Sequence, residues 1–252
     1  SDVEYVVQDP GSKDGSLDLL REYEGSCIDN LLIEPDDGPP DGLNRGFEQA
    51  TGEIGYFINS DDIVLPGAFD KLKGLWNKYS DADIILGAAW MIDREGRPIR
   101  RMRPERLTRL NDFLEDRATI VQQGMSFRME LFREVGGFNS GNLSCWDGEL
   151  LCRMIAAGAR VKVVQDAIAA FRMSGENLSA GGGGAEHFER YRRDKNRIYK
   201  DLKGREKKID RFHPLKLRLA KNFLDPRRAF NEILDRGIPG RMMRLWYNDH
   251  EM

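Results

Sequence analysis

The sequence predicts an α/β domain built on a mostly parallel central sheet, followed by a helical C-terminal extension. Two observations lead there. Short β-branched or apolar runs alternate with helix-forming stretches from residue 3 to about residue 164, the pattern of strands joined by helical crossovers. A glycine run at 181–184 then separates this body from a stretch of different charge: residues 186–252 hold 19 Lys and Arg against 11 Asp and Glu, a net +8, in a chain whose total is −3. The expected boundaries are 1–180 for the α/β domain, 181–185 for a glycine hinge and 186–252 for a basic helical extension.

Val3, Tyr5, Val6 and Val7 make a short strand that stops at Asp9-Pro10-Gly11-Ser12, and Ser16 opens a helix through Leu17, Leu19 and Leu20. Residues 31–33 read as a second strand, 36–40 as a loop, and 41–50 as a helix ended by Gly52. A third strand over 54–58 stops at Asn59-Ser60-Asp61-Asp62, Pro66 starts a helix to about Tyr79, and 84–92 is a fourth strand. An Arg- and Pro-rich linker follows. Beyond it come a helix near 107–116, a strand-like piece at 119–127, a short helix at 130–135 broken by Gly136-Gly137-Phe138, a helix over 147–157 stopped by Gly158, and a strand at 161–164. Past the glycines, charged helices are broken at Gly204, Pro214, Pro226 and 237–240. In a parallel α/β sheet ligands bind at the carboxyl ends of strands, which directs attention to the loops at Asp9 and Asp61.

Composition excludes several classes. With 252 residues, 40% hydrophobic and 32% charged, the chain can bury a full core and is not disordered as a whole. Its longest apolar run, 84–92, is far short of the roughly 20 residues that cross a bilayer, and no signal-peptide pattern opens the sequence. Three cysteines, Cys27, Cys145 and Cys152, lack zinc-ligand spacing and read as free thiols in a reducing, cytoplasmic compartment. His187, His213 and His250 all fall in the tail and form no triad. The tail's Lys and Arg mingle with Phe212, Leu215, Phe223 and Trp246, which suits peripheral contact with an anionic membrane, on the inner face of the cell membrane, or a solvated helical cap on the domain. No recognition motif for nucleic acid accompanies that charge, and none is expected as a partner.

Asn59-Ser60-Asp61-Asp62, between a buried strand and a helix, offers adjacent carboxylates to a hard divalent cation, although Asp and Asn also favour turns and helix starts for their own sake. Context comes from four stretches in order. Glu4-Tyr5-Val6-Val7-Gln8-Asp9-Pro10-Gly11-Ser12-Lys13-Asp14-Gly15-Ser16, Asp41-Gly42-Leu43-Asn44-Arg45-Gly46, Ala50-Thr51-Gly52-Glu53-Ile54 and Phe57-Ile58-Asn59-Ser60-Asp61-Asp62 are followed by Gly136-Gly137-Phe138-Asn139 and Trp146-Asp147-Gly148-Glu149-Leu150. This series, over about residues 3–179, resembles the motifs of family 2 glycosyltransferases of the GT-A fold.

The resemblance implies an inverting transferase that moves a sugar from a nucleotide-diphosphate donor to a saccharide or lipid-linked acceptor, with Mn²⁺ or Mg²⁺ as cofactor, in bacterial surface polysaccharide or glycolipid synthesis. By position, Asp9 matches the residue that binds the nucleotide base, Asp41, Asn44 and Ser60 match the donor pocket, Asp61 matches both donor site and principal metal ligand, and Asp62 stands beside it at the metal. Asp147 matches the base that deprotonates the acceptor hydroxyl. Each has a plain structural alternative: Asp9 as a cap of the Ser12 loop, Asp41 as a helix N-terminal residue, Asp147 as a partner of a helix dipole. Asn59, Trp146 and Ser174 stand where relatives commonly carry an acidic residue, Glu and His; without that imidazole at Ser174, Arg172 or residues of the glycine hinge are the candidates for meeting the diphosphate. Family members usually begin with a strand and helix ahead of the one at Val3, and the fold is expected to lack that first strand. Two rivals share the fold or its acidic site: a non-catalytic interaction module and a nucleotidyltransferase.

Overall fold

The computed structural model describes residues 2–105, 108–173 and 184–207. Strands β1 (Val6–Asp9) and β2 (Asn30–Ile33) pair in parallel, joined by helix α1 (Ser16–Tyr23). Helix α2 (Pro39–Gln49) packs on β1. It starts ahead of the expected Asp41 because Pro39 and Pro40 occupy its first turn, where a missing N–H leaves no hydrogen bond unmade.

The larger sheet holds β3 (Ile54–Tyr56), β4 (Ile63–Val64), β5 (Ile84–Ile92), β6 (Pro98–Met102), β7 (Met125–Arg128) and β8 (Val161–Arg172), in the order β3-β7-β5-β8-β4 with β6 also on β5. β5 is its centre: Ile84, Ile85, Leu86, Ala88, Ala89 and Ile92 are all buried, as an unbroken apolar run demands of a strand covered on both faces. Neighbouring residues serve opposite layers. Ile84 and Leu86 face a core shared with α5 (Met129–Glu134) and α6 (Trp146–Ala156), whereas Ile85 faces α3 (Ala68–Lys78) through Leu72, Leu75 and Trp76.

The α/β class is as expected, but the ladder directions are mixed. Within the large sheet β5 and β8 pair in parallel, and the other described pairs, β3 with β7, β7 with β5, β5 with β6 and β4 with β8, are antiparallel. Connection length explains part of this. The turn at 93–97 is too short for a crossover, so β6 can only fold back on β5, whereas the route to β8 includes α6 and allows the parallel register.

Other departures have local causes. Gln165 and Asp166 interrupt the apolar pattern, yet register shifts between Leu86 and Ala89 carry β8 on to Arg172. The strand expected at 119–127 is confined to β7, because residues 122–124 form a 3₁₀ turn lying against β5. Its Gly124 is required there: a Cβ would stand 2.2 Å from the Gly87 carbonyl oxygen. The helix near 107–116 is α4 (Leu110–Leu114). Gly184 opens the long helix α7 (Gly184–Lys203), whose Ile198 and Tyr199 belong to the main core. Residues 181–183 of the glycine hinge, the loop with Ser174, and the tail from 208 lie outside the described residues. No helix among the described residues is long and apolar enough to cross a membrane.

Candidate active site

The acidic loop after β3 is held from three sides. The amide of Asp62 donates to the Asn59 carbonyl at 3.1 Å, closing a turn, and β4 then pairs with the end of β8 through Ile63 and Ala170. Arg172, last in β8, donates from its backbone N–H to Asp62 Oδ1 at 3.0 Å and from its guanidinium to the carbonyls of Asp61 at 3.1 Å and Arg94 at 2.8 Å. From the 3₁₀ turn, Gln123 Nε2 donates to Asp62 Oδ2 at 2.9 Å, and Gln122 Oε1 accepts from Asn59 Nδ2 at 3.3 Å.

The adjacent carboxylates therefore differ. Asp62 is partly buried with both oxygens engaged, and burial, aided by the Asp61 charge, pushes its carboxyl up to about 6 against the bonds from Gln123 and Arg172. Asp61 and Ser60 are exposed at the tip. Arg172 acts here as the brace of the loop. Gln122 and Gln123 were not singled out from sequence, though two amides in a stretch leading into a buried strand were a signal to pursue.

Three other predicted donor-site residues carry structural bonds. Asp9, 8% exposed, accepts from the amides of Gly11 at 2.8 Å and Ser12 at 2.6 Å and from the Ser12 hydroxyl at 2.8 Å. Burial alone would raise its carboxyl, but these three bonds hold it below the usual value. This is the cap of the Ser12 loop that the residue types allowed. Asp41 accepts from the Asp37 amide and from Arg45 Nε, at 3.1 and 3.0 Å. Asn44 reaches across to the turn after α5, accepting from the Phe138 amide at 2.8 Å and donating to its carbonyl at 2.9 Å. Gly137 beside it has φ +67°, and a Cβ there would stand 2.7 Å from Asn44 Oδ1, so Gly137 and Asn44 form one joint. In this structure Asn44 braces the Gly136-Gly137-Phe138 turn.

Asp147 lies in the first turn of α6. Trp146 packs its ring 5.6 Å from Phe57, tilted, and 5.2 Å from Phe138, edge to face, which seats that turn against the segment leading from β3 into the acidic loop. Burial pushes the Asp147 carboxyl above the usual carboxylate range, opposed by the backbone N–H of Gly148 and the Lys195 ammonium. Glu149, 5% exposed, accepts from Asn139 at 2.9 Å, Asn142 at 2.7 Å and twice from Arg197, at 3.0 and 2.7 Å. Cys145 and Cys152 are buried free thiols and Cys27 is an exposed one.

A divalent cation fits this loop only in a particular way. Among the described residues no group of three or more His, Cys, Asp or Glu is arranged to hold a metal. Asp61 presents an exposed carboxylate at the strand end, while Asn59 and Asp62 are turned to Gln122 and Gln123. One carboxylate completed by phosphate oxygens is a common way to hold Mg²⁺, and the donor set suits a cation shared with a diphosphate.

Solved structures share this architecture. The chain matches S. aureus TarS in complex with UDP-GlcNAc with a TM-score of 0.59 at 19% identity, covering 87% of this chain and 63% of that one. It matches the mannosyltransferase PcManGT from Pyrobaculum calidifontis, in complex with GDP-Man and Mn²⁺, with a TM-score of 0.55 at 17% identity, covering 90% and 64%. The fold is thus of the GT-A glycosyltransferase type. Residues 1–136 match the glycosyl transferase family 2 model, and the chain belongs to that family. A Nostoc sp. protein described as an uncharacterized glycosyltransferase is 24% identical over 192 residues, covering 70% of this chain and 58% of its own. A PGL/p-HBAD biosynthesis glycosyltransferase from Mycobacterium bovis is 26% identical over 156 residues, covering 60% and 58%. The chain spans 58% of the length of both relatives.

Proposed function

We propose that this protein is an inverting glycosyltransferase that moves a sugar from a nucleotide-diphosphate donor to a hydroxyl of a saccharide or lipid-linked acceptor, with Asp147 as the base. The observation that carries this reading is the position of Asp147, on the first turn of a helix that Trp146 seats against the segment leading from β3 to Asp61; burial raises its carboxyl in the same sense. Raising the pKa of a carboxylate strengthens it as a base near neutral pH. Asp147 takes the proton of the acceptor hydroxyl as its oxygen attacks the anomeric carbon from the face opposite the diphosphate. Mn²⁺ or Mg²⁺ at Asp61 would neutralise charge on that leaving group. Asp62, Gln123 and Arg172 hold the Asp61 loop in place for it. Asp9, Asp41, Asn44 and Ser60 complete the donor-site proposal, Asp9 through the one lone pair on Oδ2 that its loop bonds leave over and Asn44 through the turn it braces.

The nucleotide sugars in complex with the two structural neighbours, UDP-GlcNAc and GDP-Man, support the donor class. Synthesis of cell-surface polysaccharide or glycolipid is the proposed setting, in keeping with a relative named for PGL/p-HBAD biosynthesis. Peripheral membrane contact through the basic tail belongs to the same proposal; at its start α7 exposes Phe188 and Tyr191 beside Arg192 and Arg193.

Thermal-shift measurements with UDP-GlcNAc and GDP-mannose, each with and without Mn²⁺, select the donor, since a bound ligand raises apparent stability. With that donor, Asp147→Asn is expected to lose about 10²- to 10⁴-fold in turnover. Turnover equal to wild type removes Asp147 from the mechanism.

A further inference from the structure

Helix α7 begins the stretch that composition marks as an extension, yet its side chains close on the loop and first turn that carry Asp147. Asp194 accepts from the Ser144 hydroxyl at 2.6 Å, three residues before Asp147. Arg197 grips Glu149, two residues after it, with both terminal nitrogens. Between them Lys195 donates to the Phe113 carbonyl at 3.3 Å and pairs with Asp116 at 2.5 Å. Ile198 and Tyr199, 4% and 6% exposed, fix the helix in the core.

We propose that α7 is part of the catalytic apparatus, with Lys195 and Arg197 as positioning residues that set the charge environment and the seat of Asp147. The inference rests on the reading of Asp147 as the base. The groups whose charge reaches Asp147 are Lys195 and Tyr191 from α7 and Cys145 from the preceding loop, with Asp116 behind Lys195. Lys195 is the cation of that set, and in a desolvated site a nearby cation favours the carboxylate. Asp116 also pairs with Lys207 at 3.1 Å, so one carboxylate is shared between two ammonium groups and leaves Lys195 only partly neutralised. Lys195, held between the Ser144 and Glu149 contacts of α7, thus opposes the burial that raises Asp147. Arg197 acts through geometry. Its two parallel bonds to Glu149, joined by those from Asn139 and Asn142, fix the rotation of the first turn of α6 and hence the direction of Asp147.

The test needs no substrate. In the full chain labelled with ¹³C at aspartate carboxyls, with Asp147→Asn supplying the assignment, Lys195→Met is expected to move the Asp147 titration midpoint upward. Arg197→Met is expected to speed amide exchange at Glu149 and Leu150 by about tenfold or more, with partial recovery in Arg197→Lys. An unmoved Asp147 midpoint in a folded Lys195→Met protein overturns the role of Lys195, and unchanged exchange in Arg197→Met overturns that of Arg197. If Arg197→Met does not fold, the Arg197→Lys exchange rates decide that half by the same criterion. Full turnover in Asp147→Asn overturns instead the reading of Asp147 as base and leaves the titration and exchange signals in place, so the two failures are distinct.

Discussion

Glu149 shows how much a single side chain can hold. It is buried, it joins the loop at Asn139 and Asn142 to α6, and its partner Arg197 comes from α7. Burial alone would raise its carboxyl, but the bonds from Arg197, Asn139 and Asn142 hold it below the usual glutamate value. A carboxylate depressed in the folded state contributes stability above its unfolded pKa and loses it as pH falls through the folded one. Glu149→Gln is therefore expected to cost about 2–3 kcal/mol at pH 7, because it removes the charge that Arg197 pairs with and replaces one of the two acceptor oxygens by an NH₂ that faces donors. The difference from wild type should shrink progressively when urea denaturation is repeated at pH values falling below the ordinary glutamate range. A pH-independent difference would mean that packing, not charge, sets the value of this residue. Asp9 and Asn44 teach a related lesson: the residue types suit a ligand, yet their strongest described bonds are to the protein's own backbone.

Among the elements, the 3₁₀ turn at 122–124 matters beyond its length. It rests on β5 where Gly87 and Gly124 meet backbone to backbone, and from there Gln122 and Gln123 reach Asn59 and Asp62. A methyl group at Gly124 would push into the Gly87 carbonyl, which cannot rotate away as a side chain could. Gly124→Ala is expected to destabilise the protein by more than about 3 kcal/mol, read from the shift of the urea midpoint. An unshifted midpoint would show that the turn can lift off the strand. β5 itself was legible in the sequence because its nine residues are apolar without alternation. β4 and β6 were not, since two residues at a loop and an Arg-rich edge show no local period.

In the molecule as a whole, α7 shares the core of the α/β domain. Charge and glycines suggested a boundary near residue 185, but Ile198 and Tyr199 are buried with the residues of α6. Removing everything from residue 184 exposes the core that these two side chains cover, at a cost of about 3–6 kcal/mol from their burial alone. Residues 1–183 are expected to unfold at a clearly lower urea concentration than the full chain and to bind a hydrophobic dye. Equal midpoints would make α7 a dispensable appendage.

What the sequence determined by itself was local: the alternation of strands and helices, the buried strand at 84–92, the acidic loop at Asp61 and the helix start that carries Asp147. Each is written within a window of ten or so residues, through apolar period, turn chemistry and helix boundaries. Tertiary structure decided the rest: the antiparallel ladders, the different settings of Asp61 and Asp62, the bracing by Asn44, and the reach of α7 to Ser144 and Glu149. The bonds responsible join residues far apart in sequence, 48 positions from Glu149 to Arg197, 94 from Asn44 to Phe138 and 110 from Asp62 to Arg172. No local pattern marks such pairs, because each depends on where two separately formed elements come to rest in the core.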